Sequence, residues 1–165
     1  MNKKKILKYW NSRASNNILK CTNDKNLERF ETEFFISKIK KKTSVLDIGC
    51  GEGELLKNLK DKKKCNCYGV DFSPELIKVA KRNSKKINFF CLDMTKLKKE
   101  FKCNIKFDYI ITKRSIQNLT SWPEQKLFLN QLKYFCKKKT KILLMESSND
   151  GLKNINKMRI KLNLK

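Results

Sequence analysis

Apolar positions along the chain change their period several times, and each change marks an element. Leu27, Phe30, Phe34 and Phe35 recur at helical spacing, so the segment before Lys40 is expected to form an amphipathic helix. Beyond it, apolar runs of strand length alternate with helical patterns. "SVLDI" reads as a strand and "GELLKNLK" as a helix, then "CYGV" as a strand and "SPELIKVAKRN" as a helix. Ser73 suits the start of that second helix as its cap, and Pro74 suits its first turn. "INFFCL" and "FDYIIT" predict two more strands. Ser121 and Glu124 form a capping box at the head of helical "SWPEQKLFLNQLKYF", and "KILLME" follows as a fifth strand. The alternation predicts an α/β fold, a doubly wound, mostly parallel sheet of about five strands flanked by helices. Such sheets bind ligands at the carboxyl ends of their strands, near the point where strand order reverses.

Composition narrows this picture. At 165 residues the chain suits one domain. Its expected divisions are a helical cap over residues 1–43, an α/β core over 44–146 and a helical tail over 147–165. No run reaches the roughly 18 apolar residues of a membrane span. "MNKKKILKYW" lacks the apolar core and cleavage site of a secretory signal, so the expected setting is cytoplasmic, with no membrane partner. The cysteines number seven, an odd count, and several sit in apolar runs, which suits reduced thiols used as small hydrophobes. There is no histidine, and only Cys65 and Cys67 form a close pair, so no metal site is expected and a Ser-His-Asp triad is excluded.

The net charge of +24 would suit a nucleic-acid partner. Nearly all of it is lysine, however, with only Arg13, Arg29, Arg82, Arg114 and Arg159 as arginines. Asn and Ile are abundant too, as A/T-rich codons dictate, and the lysines run along the whole chain. A solvated lysine-rich surface is the preferred reading, and an RNA partner is not favoured.

Acids are scarce, 16 against 40 basic residues, yet Asp47, Asp71, Asp93 and Glu146 all fall at the predicted carboxyl ends of strands. A single acid there is often a cap or turn former. A band of them suits a ligand with cationic or hydroxyl groups. After the first strand, "GCGEG" must turn sharply into a helix and admit a ligand close to the backbone. Its G-x-G-x-G spacing differs from the dinucleotide pattern G-x-G-x-x-G, and Glu54 stands where that pattern wants Gly or Ala. Glu52 and Glu54 would also repel a pyrophosphate. The loop therefore points to a ligand without phosphates.

"VLDIGCGEGELL" resembles the first motif of the seven-stranded, Rossmann-like S-adenosylmethionine (SAM)-dependent methyltransferases. "YGVDFSPELIKVAKRN", "NFFCLDMTKL" and "FDYIITKRSIQNL" resemble the next three motifs in order, and "YWNSRA" resembles the aromatic–Arg segment that closes over the cofactor. The resemblance runs from Tyr9 to Glu146. It implies SAM as cofactor, with Gly49, Cys50, Gly51 and Gly53 forming the turn against its methionine portion and Asp47 ordering that loop and the ligand's amino end. Asp71 would accept from the ribose hydroxyls and Phe72 would pack on adenine. Asp93 would accept from the adenine amino group, and Met94 would donate its backbone N–H to the ring. Trp10 and Arg13 would lie over the cofactor.

For the acceptor side the candidate general bases are carboxylates or a tyrosine; Glu146 stands at the right edge of the sheet and Lys113 and Arg114 just after the fourth strand, and no catalytic residue is assigned. "TKRSIQNL" replaces the Asn/Asp-Pro-Pro-aromatic run that accompanies methylation of base amino groups. The implied activity is methyl transfer to a small-molecule or carbohydrate acceptor. The alternatives are an RNA methyltransferase and a non-catalytic SAM-binding fragment. In the family the sheet continues past the fifth strand with a helix and an antiparallel hairpin. "SSNDGLKNINKMRIKLNLK" supplies at most that helix, so a fragment or a reduced form of the fold is expected, with the fifth strand at a sheet edge.

Overall fold

The computed structural model describes residues 2–16, 18 and 24–161; Cys21 lies outside them. Two helices come first, α1 (Lys3–Ser15) and α2 (Lys25–Lys38). The chain then alternates: β1 (Ser44–Ile48), α3 (Glu54–Lys63), β2 (Asn66–Asp71), α4 (Pro74–Asn83), β3 (Asn88–Cys91), the short α5 (Leu97–Glu100), β4 (Phe107–Lys113), α6 (Trp122–Leu132), β5 (Cys136–Met145) and α7 (Asn149–Lys161). All strand pairings are parallel and the order across the sheet is β3-β2-β1-β4-β5. Order reverses between β1 and β4, so the loops leaving these neighbours diverge and open a crevice between them.

Each face of the sheet is covered over its first four strands, while the edge strand β5 leaves Ile142 and Leu144 exposed. In β1 the alternation of side chains sends Val45 to one face and Leu46 and Ile48 to the other. On the first face Phe35 and Ile39, Leu56 and Leu59 of α3, and Ile77 and Ala80 of α4 pack on Cys67, Phe89 and Ile111. On the second face Phe128 and Leu132 of α6 pack with Leu97, Phe101, Phe107 and Ile110. Cys65 and Cys67 both point into the first core, as alternate strand positions should, and behave as small hydrophobes.

The helix expected before Lys40 forms, but its buried stripe is not the one the aromatic spacing suggested. Leu27, Phe30 and Phe34 are exposed, and the buried line is Glu31, Phe35 and Ile39. Glu31 belongs there because its carboxylate pairs with Arg114 across the packing seam.

One polar side chain ties the second face to the loop after β3. Gln131 of α6 is buried; its Nε2 donates to the carbonyl of Thr95 at 2.8 Å and its Oε1 accepts from the N–H of Lys98 at 2.8 Å. It thereby fixes the 94–98 turn beside the crevice. Replacing it leaves two part-buried backbone groups without this partner, so Gln131→Leu should destabilise the protein by about 1 kcal/mol in urea unfolding. No change in the unfolding midpoint would show that the turn is held by other means.

Candidate functional site

The loop leaving β1 is a tight turn bound to β2. The N–H groups of Gly49 and Cys50 both donate to the carbonyl of Val70, at 2.7 and 3.0 Å. Gly49 has φ +83°, and a Cβ there would sit 2.2 Å from the Cβ of Ser115, so the loop leaving β4 closes directly on it. Ser115 Oγ donates to the carbonyl of Ile48 at 2.8 Å and locks the two loops together. Gly51 is different. It lines the crevice, and a Cβ there would meet no atom within 4 Å, so a side chain would fill the crevice itself. Gly53, at the head of α3, packs against the Phe89 ring and faces the core.

Asp71 stands at the end of β2, buried, on the wall of the crevice. Its Oδ2 accepts from the N–H of Gly51 and its Oδ1 from the N–H of Ser73, both at 2.9 Å. Burial raises its pKa above the ordinary carboxylate value, against the lowering effect of bonds from Ser73, Gly51 and Phe72. Asp47 lies deeper, and its Oδ1 is buried with no hydrogen-bond partner. Burial pushes its pKa up to about 7; nearby Lys113 opposes this and the negative field of Asp71 adds to it. Cys50 is half-buried. Its Sγ packs on Gly69, and burial together with the two acids pushes its thiol well up, which disfavours the thiolate that a nucleophile needs.

Helix α1 lies across the carboxyl ends of the strands. Trp10 Nε1 donates to Asn118 Oδ1 at 3.2 Å beyond β4, and Ser73 Oγ donates to Asn11 Oδ1 at 2.6 Å beyond β2. Beyond β3, Lys3 pairs with Asp93 and donates to Thr95 Oγ1 at 3.2 Å. Burial disfavours the charged form of Asp93, but bonds from Lys3 and Thr95 outweigh it and hold the pKa below the usual range.

Under this helix runs a cleft of about 530 Å³ lined by Trp10, Gly49, Gly51, Asp71, Phe72 and Met94 among others. It shares Phe72, Met94 and Asn118 with a second hollow of about 430 Å³ that reaches Asp93 and Lys3. Most of the residues singled out from the sequence thus share one trough. Asp47, Cys50, Gly53 and Arg13 line neither hollow. Asp47 and Cys50 lie beneath the glycine turn, and the Arg13 guanidinium rests 5.5 Å from the Tyr9 ring centre and 5.8 Å from that of Trp10. Asn11, Ser73, Asn118 and Lys3 join the site unforeseen. Of these, only Ser73, as a helix cap, carried a readable signal; the others are set by where α1 lands.

Next to the trough, a more open hollow is lined by Tyr9, Trp10, Glu31, Arg114, Asn118 and Glu146 among others. Arg114 has φ +55°, and its N–H donates to the carbonyl of Met145 at 2.8 Å. This backbone turn aims its guanidinium at Glu31, with Nε 3.1 Å from Oε1. Glu146 accepts from the N–H groups of Ser115 and Gln117, at 3.1 and 3.4 Å. It braces the loop after β4.

A family model described as a methyltransferase domain matches residues 39–162. The uncharacterized protein MJ0284 of Methanocaldococcus jannaschii is 37% identical over 65 residues, which are 37% of this chain and 30% of that protein. Among solved structures, the plantazolicin methyltransferase BpumL, crystallised with a triazolic desmethylPZN analog and SAH, is similar over 89% of this chain and 55% of its own, with a TM-score of 0.66 and 22% identity. The sugar N-methyltransferase KedS8 from Streptoalloteichus is similar over 74% of this chain and 48% of its own, with a TM-score of 0.60 and 19% identity. The chain therefore spans about a third to about half of the length of these proteins. Among the described residues no helix is long and apolar enough to cross a membrane.

The buried Asp47 yields a sign-definite expectation. Its carboxyl is protonated in the folded protein up to about pH 7, whereas in the unfolded chain it ionises near 3.8. The folded state binds the extra proton between these values, so stability should fall as pH rises from about 4 to about 7 and level off above. In Asp47→Asn this decline should be smaller when urea midpoints are compared across that range. An equal decline in both proteins would show that Asp47 is already ionised in the fold.

Proposed function

The chain belongs to the methyltransferase-domain family, and on that premise we propose that it binds SAM in the trough beneath α1 and transfers the methyl group to a small-molecule or carbohydrate acceptor. The observation that carries this reading is the crevice at the strand-order reversal, where Asp71 and the open side of Gly51 face the same space. The residues fit such a ligand. An ionised carboxylate offers about four acceptor positions, and the backbone bonds to Asp71 leave room for a ribose hydroxyl. Phe72 and Met94 flank the shared stretch of the trough and would sandwich a flat ring; Asp93 at its far end would take the ring's amino group, in competition with Lys3. Asp47, with an unpartnered oxygen and a carboxyl poised near neutrality, would ionise beside a ligand ammonium.

When bound, SAM supplies an already activated methyl carbon on a sulfonium. The chain's part is to hold it and to orient an acceptor, and orientation alone is worth up to about 7–11 kcal/mol. Trp10 and Asn118 border both the trough and the open hollow, so an acceptor resting against them would reach the cofactor from the Glu146 side. That hollow combines the rings of Tyr9 and Trp10 with polar side chains, as suits a compact ring-bearing or hydroxyl-bearing molecule. Glu146 is the carboxylate on that side able to take a proton, though its backbone bonds also make it a brace.

Calorimetry with S-adenosylhomocysteine tests the cofactor, with NAD as the competing ligand. The product should bind and NAD should not, and Asp71→Ala should weaken binding by at least about tenfold, which is ~1.4 kcal/mol. Labelled methyl transfer from SAM into pooled small amines, alcohols and glycans then tests the activity. A folded protein that binds neither ligand would overturn the cofactor reading, and binding without transfer to any pool would overturn the acceptor reading alone.

A further inference from the structure

Parallel strands share a direction, so the segments leading into all five open on one face of the molecule and those leaving them open on the other. The lysines follow this polarity. Exposed lysines stand at 40–42 before β1, at 62 and 64 before β2, at 85–86 before β3, at 102 and 106 before β4, and at 133 and 137–139 around the start of β5. Hydrogen bonds show these segments side by side. The N–H of Lys42 donates to the carbonyl of Lys63 at 2.9 Å, Ser44 Oγ to that of Lys106 at 3.4 Å, and Lys106 Nζ to that of Tyr134.

At the carboxyl ends lysines are fewer: Lys113 closes β4 on the trough wall, Lys96 follows β3, Lys3 and Lys4 of α1 border the hollows with Lys3 paired to Asp93, and the arginine there, Arg114, is paired with Glu31. Codon bias would load both ends alike. What looked like an even scatter along the sequence is, in the fold, denser on the face opposite the ligand trough, where, among the described residues, the lysines are also less often paired with acids. Asp108, an acid at this end of the sheet, is engaged by Lys137 at 2.7 Å and by Ser44.

We propose that this amino-end face is a docking surface for a nucleic-acid duplex, gripped through its phosphates without reading sequence. Strands lie about 4.8 Å apart, so five lead-in segments spread lysines over roughly 20 Å. A duplex carries one charge per about 1.7 Å with both strands counted, so roughly a dozen phosphates lie along that span and those on its facing side come within reach. Lysine is a point charge suited to phosphate, and the shortage of arginine argues against bidentate reading of base edges. A single strand would call for exposed aromatic platforms. On these segments the exposed large apolar side chain is Tyr134, already flanked by Lys98 and Lys133 at 4.2 and 5.4 Å from its ring centre. The same scarcity of apolar wedges disfavours a bilayer.

The test is an anisotropy titration of a mixed-sequence RNA duplex with the full chain over about 50–200 mM salt. Binding should weaken steeply with salt, with log K falling by about 0.9 per phosphate engaged for each decade. Gln at Lys41, Lys62, Lys85, Lys86, Lys138 and Lys139 should lower affinity at least about tenfold and flatten the salt slope. Gln at Lys5, Lys8, Lys57, Lys126, Lys153 and Lys157 removes the same charge elsewhere and should change affinity by less than about threefold. Acetylation footprinting of the unmodified protein gives a second readout, with the duplex expected to protect the amino-end lysines. Equal losses in both variants, protection elsewhere, absence of binding at low salt, or preference for a single strand or for phosphatidylserine vesicles would each overturn the proposal.

Discussion

The carboxylate of Asp71 is the tie on which the site depends. A buried charge is costly unless it is hydrogen-bonded, and here the bonds come from the backbone of two different loops, through Gly51 and Ser73. The first fixes the glycine turn and the second fixes the start of α4. Ser73 in turn caps that helix through the N–H of Leu76 and reaches Asn11 of α1. One side chain at the end of one strand therefore registers the turn, the next helix and the cap above the trough. Any ligand that takes a further bond from this carboxylate meets a group already held in place, and so loses little in ordering it.

Sheet polarity supplies the second constraint. All carboxyl ends lie together, so Asp47, Asp71 and Asp93 meet in one small volume, while a large group of the chain's lysines stands at the far end. A net charge of +24 thus says little about the field in the trough. There Asp47 feels Lys113 and Asp71 more than the distant lysines, and burial pushes it toward the neutral form. Burying like charges close together is tolerable when a cation arrives with the ligand, and wasteful otherwise.

Much of this was legible in advance because it is local. Strand runs, the caps at Ser73 and Ser121, and the acids at strand ends are all set by residues within a few positions of one another, and the five strands and their order of helices follow from them. The failures concern contacts far apart in sequence. The aromatic stripe of α2 misled because Glu31 goes inward to meet Arg114, a partner 83 residues away. Lys3, Asn11 and Asn118 could not be assigned to the site from spacing, since nothing local says where α1 crosses the sheet. The clustering of lysines was missed for a related reason. It appears only when the sequence is folded about the strand directions.

The attachments of α1 also bear on how a ligand would come and go. Only Ile6 and Ala14 of this helix are buried, and its packing on the domain runs mainly along α4. Its polar links include the two neutral hydrogen bonds from Trp10 and to Asn11, each worth about 0.5–1.5 kcal/mol, the Lys3–Thr95 bond and the Lys3–Asp93 pair. The lysine of that pair is about half exposed, and such pairs contribute about 0–1 kcal/mol. Set against a typical unfolding free energy of about 5–15 kcal/mol, each of these links is small, so the helix is held less firmly than the sheet beneath it. Any movement of the helix would also loosen Lys3 from Asp93, leaving more of that carboxylate's acceptor positions to a ligand. The same weak contacts that close the trough thus let it open without disturbing Asp71 and the glycine turn, whose bonds belong to the core.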